Sequence, residues 1–290
     1  MKNLFQHKFR SLQKIIAPSK ENSTPDRSFH RFSRYLRRKV RIDCYLPPGY
    51  HQARSRDRDY PLLCFNDGQD LPAVRLASTL DRLYREDRIE PLIALAFHAG
   101  DRLQEYGVSG RPDYLQRGSM AEDYAQFVLW EFLPRFRQQF RCRPHAGDHA
   151  FAGFSLGGLS AFDIAWHHPR HFGKVGVFSG SLWWRAKAFQ PADPDADRIA
   201  HALVREGPAP TGLQFWFQTG TLDETSDRNG NGVIDSIDDT LDLLECLREA
   251  GYDERDLRYL EVENGRHHPD TWAQALPDFL EWAFGPKDRQ

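Results

Sequence analysis

From residue 60 onward, short apolar runs alternate with helix-length amphipathic stretches, and no other feature limits the fold of this chain as tightly. Residues 60–65, 91–97, 150–154, 175–178 and 213–217 are nearly continuous apolar runs, the pattern of strands buried on both faces. Residues 40–46 alternate with period two and stop at Pro47-Pro48-Gly49, so they read as a strand and a turn. Residues 257–262 read as the last strand. Between these lie helical patterns. Residues 121–140 place Tyr124, Phe127, Val128, Phe132 and Leu133 at helical spacing, with a bend expected at Pro134. Residues 156–168 stop before Pro169, residues 240–250 stop at Gly251, and Trp272, Leu276, Phe279 and Leu280 mark a final helix around Pro277. Buried strands alternating with helices imply an α/β fold with a mostly parallel central sheet and helices on both faces. In such sheets the chemistry gathers beyond the carboxyl ends of the strands.

The 290 residues suit one large α/β domain, and 40% apolar content fills its core. We divide the chain into an N-terminal arm and linker, residues 1–33, and a domain over residues 34–286; residues 18–28 are polar and carry prolines. With 39 basic against 41 acidic side chains the net charge is −2, which is no electrostatic footprint for nucleic acid. No run approaches the roughly 18 apolar residues of a membrane span, and no secretory signal is read, so the expected location is cytoplasmic. Cys44, Cys64, Cys142 and Cys246 lack metal-ligand spacing and read as buried, reduced thiols. Oligomeric state leaves no mark.

The pentapeptide Gly153-Phe154-Ser155-Leu156-Gly157 follows one expected strand and opens a helix. A G-x-S-x-G sequence in that strand-turn-helix setting forms a sharp elbow that raises the serine hydroxyl over the sheet. Gly153, Gly157, Gly158 and Ala161 allow strand and helix to approach closely. The alternative, a glycine-rich turn with a helix-capping serine, requires no chemistry.

A serine hydroxyl needs a base to act as a nucleophile, and in this architecture the order is serine, acid, histidine. Past the last strand come Arg266-His267-His268-Pro269, where His267 is the chosen base and His268 the alternative that caps or packs. After residues 213–217 comes Thr219-Gly220-Thr221-Leu222-Asp223-Glu224; Asp223 is preferred as the acid, with Glu224 also open. The oxyanion donors expected are the backbone N–H of Leu156 and that of Gln69, in the loop Asn66-Asp67-Gly68-Gln69-Asp70.

Together these residues resemble the Putative esterase family of α/β-hydrolases, which includes enterobactin-type siderophore esterases, feruloyl esterases and mycolyl transferases. Tyr45-Leu46-Pro47-Pro48-Gly49-Tyr50 is similar to its early strand and turn, Asp67-Gly68-Gln69 to its oxyanion loop, and Gly153 to Ser160 to its elbow. Gly220-Thr221-Leu222-Asp223 falls where the family places its acid, and Gly265-Arg266-His267 with Trp272 resembles its histidine loop. The resemblance spans residues 34–284 and implies an α/β-hydrolase fold and a small-molecule ester substrate. Residues 1–33 are too short for the N-terminal domain of siderophore esterases. For the substrate pocket the expected residues are Trp183 and Trp184 after residues 175–178, and Arg102 and Glu105 after residues 91–97; core packing and a mutual ion pair are the competing readings.

A second constellation stands apart. Residues 227–238 fit the twelve-residue calcium loop, with Asp227, Asn229, Asn231, Asp235 and Asp238 at oxygen positions, Gly232 at the sharp turn and Val233 donating a carbonyl. A solvated Asn-Gly loop is the alternative. No cofactor is needed for the chemistry, so calcium, if bound, is structural. The expected function is serine carboxylic-ester hydrolysis through a Ser-His-Asp triad and an acyl-enzyme. An acyltransferase with the same triad and a non-catalytic calcium-binding interaction module are the alternatives. The stretch 189–209 is read as a loop, a lid or an interface.

Overall fold

The computed structural model describes residues 24–286. In chain order it contains β1 (Arg27–Phe32), β2 (Lys39–Tyr45), β3 (Leu62–Phe65), α1 (Leu76–Arg85), β4 (Ile93–Phe97), α2 (Arg102–Glu105) and α3 (Ala121–Gln126). A π-helical segment, Phe127–Phe132, leads into α4 (Leu133–Gln139), followed by β5 (His149–Phe154), α5 (Leu156–His167), β6 (Lys174–Phe178) and α6 (Ile199–Glu206). The chain ends with β7 (Gln214–Leu222), α7 (Asp235–Glu249), β8 (Leu257–Arg266) and α8 (Pro269–Phe284).

The strands form one eight-stranded sheet in the order β1-β2-β4-β3-β5-β6-β7-β8. β1 and β2 are antiparallel, β2 pairs antiparallel with β4, and every other pair is parallel. That is the α/β-hydrolase arrangement, as expected. Every residue of β3, β4 and β5 is buried, because both faces of the sheet are covered. On one face Phe151, Phe162, Phe215 and Phe217 join the π segment, α5 and α7 in a core. On the other, Phe65, Phe154, Phe178 and Trp216 pack under α1 and α8.

Several elements differ from the sequence reading. The sheet begins at Arg27, inside the stretch read as arm and linker; β1 buries only Phe29 and Arg27–Phe32 is otherwise exposed, so its apolar signal is too thin to read. The rest of the expected arm, residues 1–23, lies outside the described residues. α1 was not read at all, and α6 falls within the expected loop 189–209. The single helix expected over 121–140 is divided by the π segment, which ends just ahead of Pro134, a residue with no N–H to donate back to the preceding turn. Cys44, Cys64 and Cys246 are buried and Cys142 half-buried, all as free thiols. No helix among the described residues is long and apolar enough to cross a membrane.

Candidate active site

Ser155 sits between β5 and α5 with φ 53° and ψ −121°, a conformation that costs a non-glycine residue about 1–3 kcal/mol and that marks strained functional turns. Packing holds it there. The Ser155 N–H donates to Phe178 O at 2.8 Å, and Ser155 O accepts from Gly158 N at 3.0 Å. A Cβ on Gly153 would lie 2.3 Å from Gly157 O, so only glycine lets the strand pass beneath the helix. The Ser155 hydroxyl lies 3.2 Å from the hydroxyl of Ser181, on the loop after β6. No hydrogen bond between Ser155 and His267 is present among the described residues; such contacts often tighten only with substrate bound.

The expected oxyanion loop folds beside this turn. Asp67 has φ 55°, Gly68 N–H donates to Phe97 O at 2.8 Å, and a Cβ on Gly68 would meet Ala96 O at 2.8 Å. Neither the Gln69 nor the Leu156 N–H is given to a protein acceptor among the described residues, as an oxyanion donor requires. Side chains that no sequence signal placed here brace this loop. Buried Asn66 donates to Gly157 O at 2.7 Å and accepts from Tyr124 OH at 2.5 Å. Tyr106 OH accepts from the Asp67 N–H at 3.0 Å.

The sheet carries the expected acid and base to one end. β7 and β8 run together as far as the pair Leu222 and Arg266, with an irregularity at Gly220. The next residues are Asp223 and His267, whose charges act on each other, although no hydrogen bond joins them among the described residues. A Cβ on Gly220 would lie 2.4 Å from Gly265 O and 2.7 Å from Asp223 Oδ1, and one on Gly265 would lie 2.8 Å from Thr271 Cγ2 and 2.9 Å from Val262 O, which explains the glycine at each position. Asp223 Oδ2 accepts from Gly220 N–H at 3.0 Å, while the buried Oδ1 has no hydrogen-bond partner. Burial pushes the Asp223 carboxyl up from its ordinary value, against the pull of the Gly220 N–H, the Ser179 hydroxyl and His267. His267 reaches the surface, yet crowding around its ring holds its pKa below the ordinary imidazole value; Asp223 opposes this and Arg102 adds to it. Its ring stands edge-on to Trp272 at 5.3 Å, and Trp272 stacks on Phe154 at 4.7 Å and donates to Ser179 Oγ at 3.1 Å.

The two alternatives face elsewhere. Glu224 lies against the start of α7, beside Ser236 and Asp235. His268 is the N-cap of α8, its Nδ1 accepting from Asp270 N–H at 3.2 Å.

The pocket residues divide. Arg102 and Glu105 do not pair with each other. Arg102 clasps Asp67 through two bonds of 2.9 and 3.0 Å and reaches Phe154 O at 3.1 Å. Glu105 is buried and pairs with Arg38 at 2.5 Å, which removes it from the substrate pocket. Arg38 directly precedes β2 and lies 67 residues before Glu105, too far in sequence for spacing to reveal the partner. Trp184 is fully buried against Gly107 and Gly118, so the core reading holds for it. Trp183 is 41% exposed and lines a cavity of about 440 Å³ with Tyr114, Arg185, Phe189, Ser226 and Arg228.

In the loop 227–238, Asp227 accepts from the N–H groups of Gly230, Asn231 and Gly232 at 2.8–3.1 Å. Asn229 and Asn231 both place their amides on Asp238 Oδ2, at 2.8 and 2.9 Å, and Asn231 Oδ1 accepts from Val233 N–H. Asp235 turns away to Arg228, and α7 already begins there, so Asp238 stands inside its first turn. No three His, Cys, Asp or Glu side chains converge as a metal site among the described residues.

Ser155 at the β5–α5 elbow, Asp223 after β7 and His267 after β8 stand at the same end of an α/β-hydrolase sheet. Residues 33–283 match the Putative esterase family, and the chain belongs to that family. It is 24% identical over 250 residues to the uncharacterized protein YbbA of Bacillus subtilis, covering 84% of this chain and 92% of YbbA. Among solved structures it resembles the enterobactin esterase FES of Shigella flexneri, with TM-score 0.69 and 20% identity over 89% of this chain and 59% of that one. It also resembles a ferulic acid esterase, with TM-score 0.65 and 18% identity, covering 89% and 97% of the two chains.

Proposed function

We propose that the protein is a serine carboxylic-ester hydrolase acting on a small-molecule ester. The observation that carries this reading is the strained Ser155, flanked by Leu156 and Gln69 N–H groups that are not given to any acceptor among the described residues, with Asp223 and His267 each one residue past the Leu222–Arg266 pair that ends the β7–β8 ladder. His267 takes the Ser155 proton as Oγ attacks the acyl carbon, and the two N–H groups hold the oxyanion. The intermediate collapses to an acyl-Ser155 as His267 returns the proton to the departing alcohol. Water, deprotonated by His267, then releases the acid and restores Ser155. Asp223 fixes the imidazole tautomer and offsets the imidazolium charge.

The 440 Å³ cavity beside Trp183 lies between the loop that carries Ser181 and the loop that follows Asp223. Its lining sets the aromatic Tyr114, Trp183 and Phe189 against the charged Arg185, Asp227, Arg228 and Asp235, which suits a planar group with polar substituents on the acyl or alcohol side. Fluorophosphonate labelling, compared between wild type and Ser155→Ala with peptide mapping, tests the core of this reading. Labelling at Ser155 that disappears in the variant supports it. A folded wild type that resists labelling overturns it and leaves a binding module on the same fold.

We also propose that residues 227–238 hold a structural calcium ion. Asn229, Asn231 and Asp238 already converge; an ion there would take both amide oxygens by turning the side chains and releasing the N–H groups of Asn231 and Val233 that those oxygens accept without it. Asp227 and the Val233 carbonyl would complete an oxygen set. The ion takes no part in hydrolysis.

A further inference from the structure

The loop after β6 carries a residue that the triad description leaves out. Ser181 is 5% exposed, and its hydroxyl has one described contact, the nucleophile Oγ at 3.2 Å. Its position is fixed from several sides. The Ser181 N–H donates to Ser155 O at 3.1 Å, so the backbone of this loop is tied to the nucleophile residue itself. Ser179, two residues earlier, has φ 44° and donates its N–H to Gln218 O at 2.7 Å. A Cβ on Gly180 would lie 2.5 Å from Val177 Cγ1, so the turn between the two serines admits only glycine.

The direction of the hydroxyl contact follows from the chemistry. Ser155 has one proton, and catalysis requires that proton to face His267. What Ser155 then offers Ser181 is a lone pair. We propose that Ser181 is a further catalytic residue, donating its hydroxyl to Ser155 Oγ and stabilising the charge that develops there. This rests on the serine-esterase reading. The contact strengthens twice: when the Ser155 proton passes to His267 during attack, and when the acyl carbon–Oγ bond breaks during deacylation and Oγ recovers a proton from His267. The Ser181 O–H bond itself stays intact in both steps. Because the donor is held in place before reaction, it needs no reorganisation at the transition state.

The opposite polarity, Ser155 donating to Ser181, would hold the nucleophile away from its base, and removing Ser181 would then speed the reaction. The two cases differ in sign. The test measures the second-order rate of fluorophosphonate labelling at Ser155, and acylation and deacylation rates with p-nitrophenyl acetate, in wild type, Ser181→Ala and Ser181→Thr, alongside melting temperatures. Ser181→Ala should label and turn over roughly tenfold to a hundredfold more slowly, between the worth of one net hydrogen bond and that of an oxyanion donor. Its melting temperature should stay near that of wild type, and Ser181→Thr, which keeps the hydroxyl, should retain most of the rate. Ser181→Ala reacting at the wild-type rate or faster overturns the proposal, as does equal slowing of both folded variants. A wild type that is not labelled at Ser155 sinks the esterase reading and this inference with it; a labelled wild type matched by Ser181→Ala sinks this inference alone.

Discussion

Asp67 shows how much of the site rests on one buried charge. It is 1% exposed, adopts a left-handed conformation and packs so close to α5 that a Cβ on Gly157 would lie 2.5 Å from its carboxylate. Burial pushes its carboxyl up, and the two-bond clasp of Arg102 pulls it back. The same guanidinium helps to depress the pKa of His267. In the proposed mechanism His267 works as the neutral ring, so a lowered pKa keeps that form available below the ordinary imidazole value of about 6.5. The acid limb of the pH–rate profile should therefore fall below that value. Arg102→Met should move the limb to higher pH, because a nearby positive charge is lost. It should also leave Asp67 unpaired and cost about 2–3 kcal/mol, less than a fully buried pair would because Arg102 is 35% exposed. A pH profile of p-nitrophenyl ester hydrolysis and a urea melt check both; an unmoved acid limb refutes the link from Arg102 to His267.

Among the elements, the junction of β5 and α5 is the least tolerant. α5 is buried along nearly its whole length, Leu156 to Trp166, and the strand beneath it is fully buried. Gly153→Ala would drive a methyl into Gly157 O, with backbone on both sides and no flexible side chain to yield. The expected cost is about 2–3 kcal/mol of stability, with a fall in Ser155 labelling, because relieving the clash tilts the elbow. A variant as stable and reactive as wild type would show that the two elements can separate freely. The β7–β8 pair illustrates a different limit. The apolar runs 213–217 and 257–262 mark these strands, but β7 extends to Leu222 and β8 to Arg266. Polar residues such as Gln218, Thr219 and Glu263 carry no periodic signal, and only pairing between the strands keeps them extended. That added length is what carries the chain to Asp223 and His267 at the same end of the sheet.

Across the whole molecule, a buried charge network ties the proposed calcium loop to the surrounding elements. Arg228, the second residue of that loop, pairs with Asp195 at 2.6 Å and with Asp239 of α7 at 2.9 Å. Arg198, just before α6, pairs with Asp239 and Asp242, each at 2.6 Å. Arg228 and Trp183 line the same cavity. Calcium removal should then lower the melting temperature by several degrees, equivalent to about 2–3 kcal/mol if calcium is present at roughly a hundred times its dissociation constant. Ester hydrolysis should change far less. Equal melting curves in chelator and in calcium, with no terbium luminescence sensitised by the protein, would exclude the ion.

By itself the sequence determined the sheet-and-helix alternation and the strand-turn-helix setting of Ser155, and it put the candidates Asp223, His267, Leu156 and Gln69 just past strand ends. Each of these is a local matter: apolar runs, glycines where a turn is tight, and reactive residues just past strand ends. Only the tertiary structure decided that Arg102 clasps Asp67 and not Glu105, that Glu105 belongs to Arg38, that Trp184 is core while Trp183 opens onto a cavity, and that β1 joins the sheet. It alone set Ser181 against Ser155. The physical reason is common to all of them: a charge or hydroxyl takes its partner from whatever the fold brings within about 3 Å, and that partner lies tens of residues away along the chain.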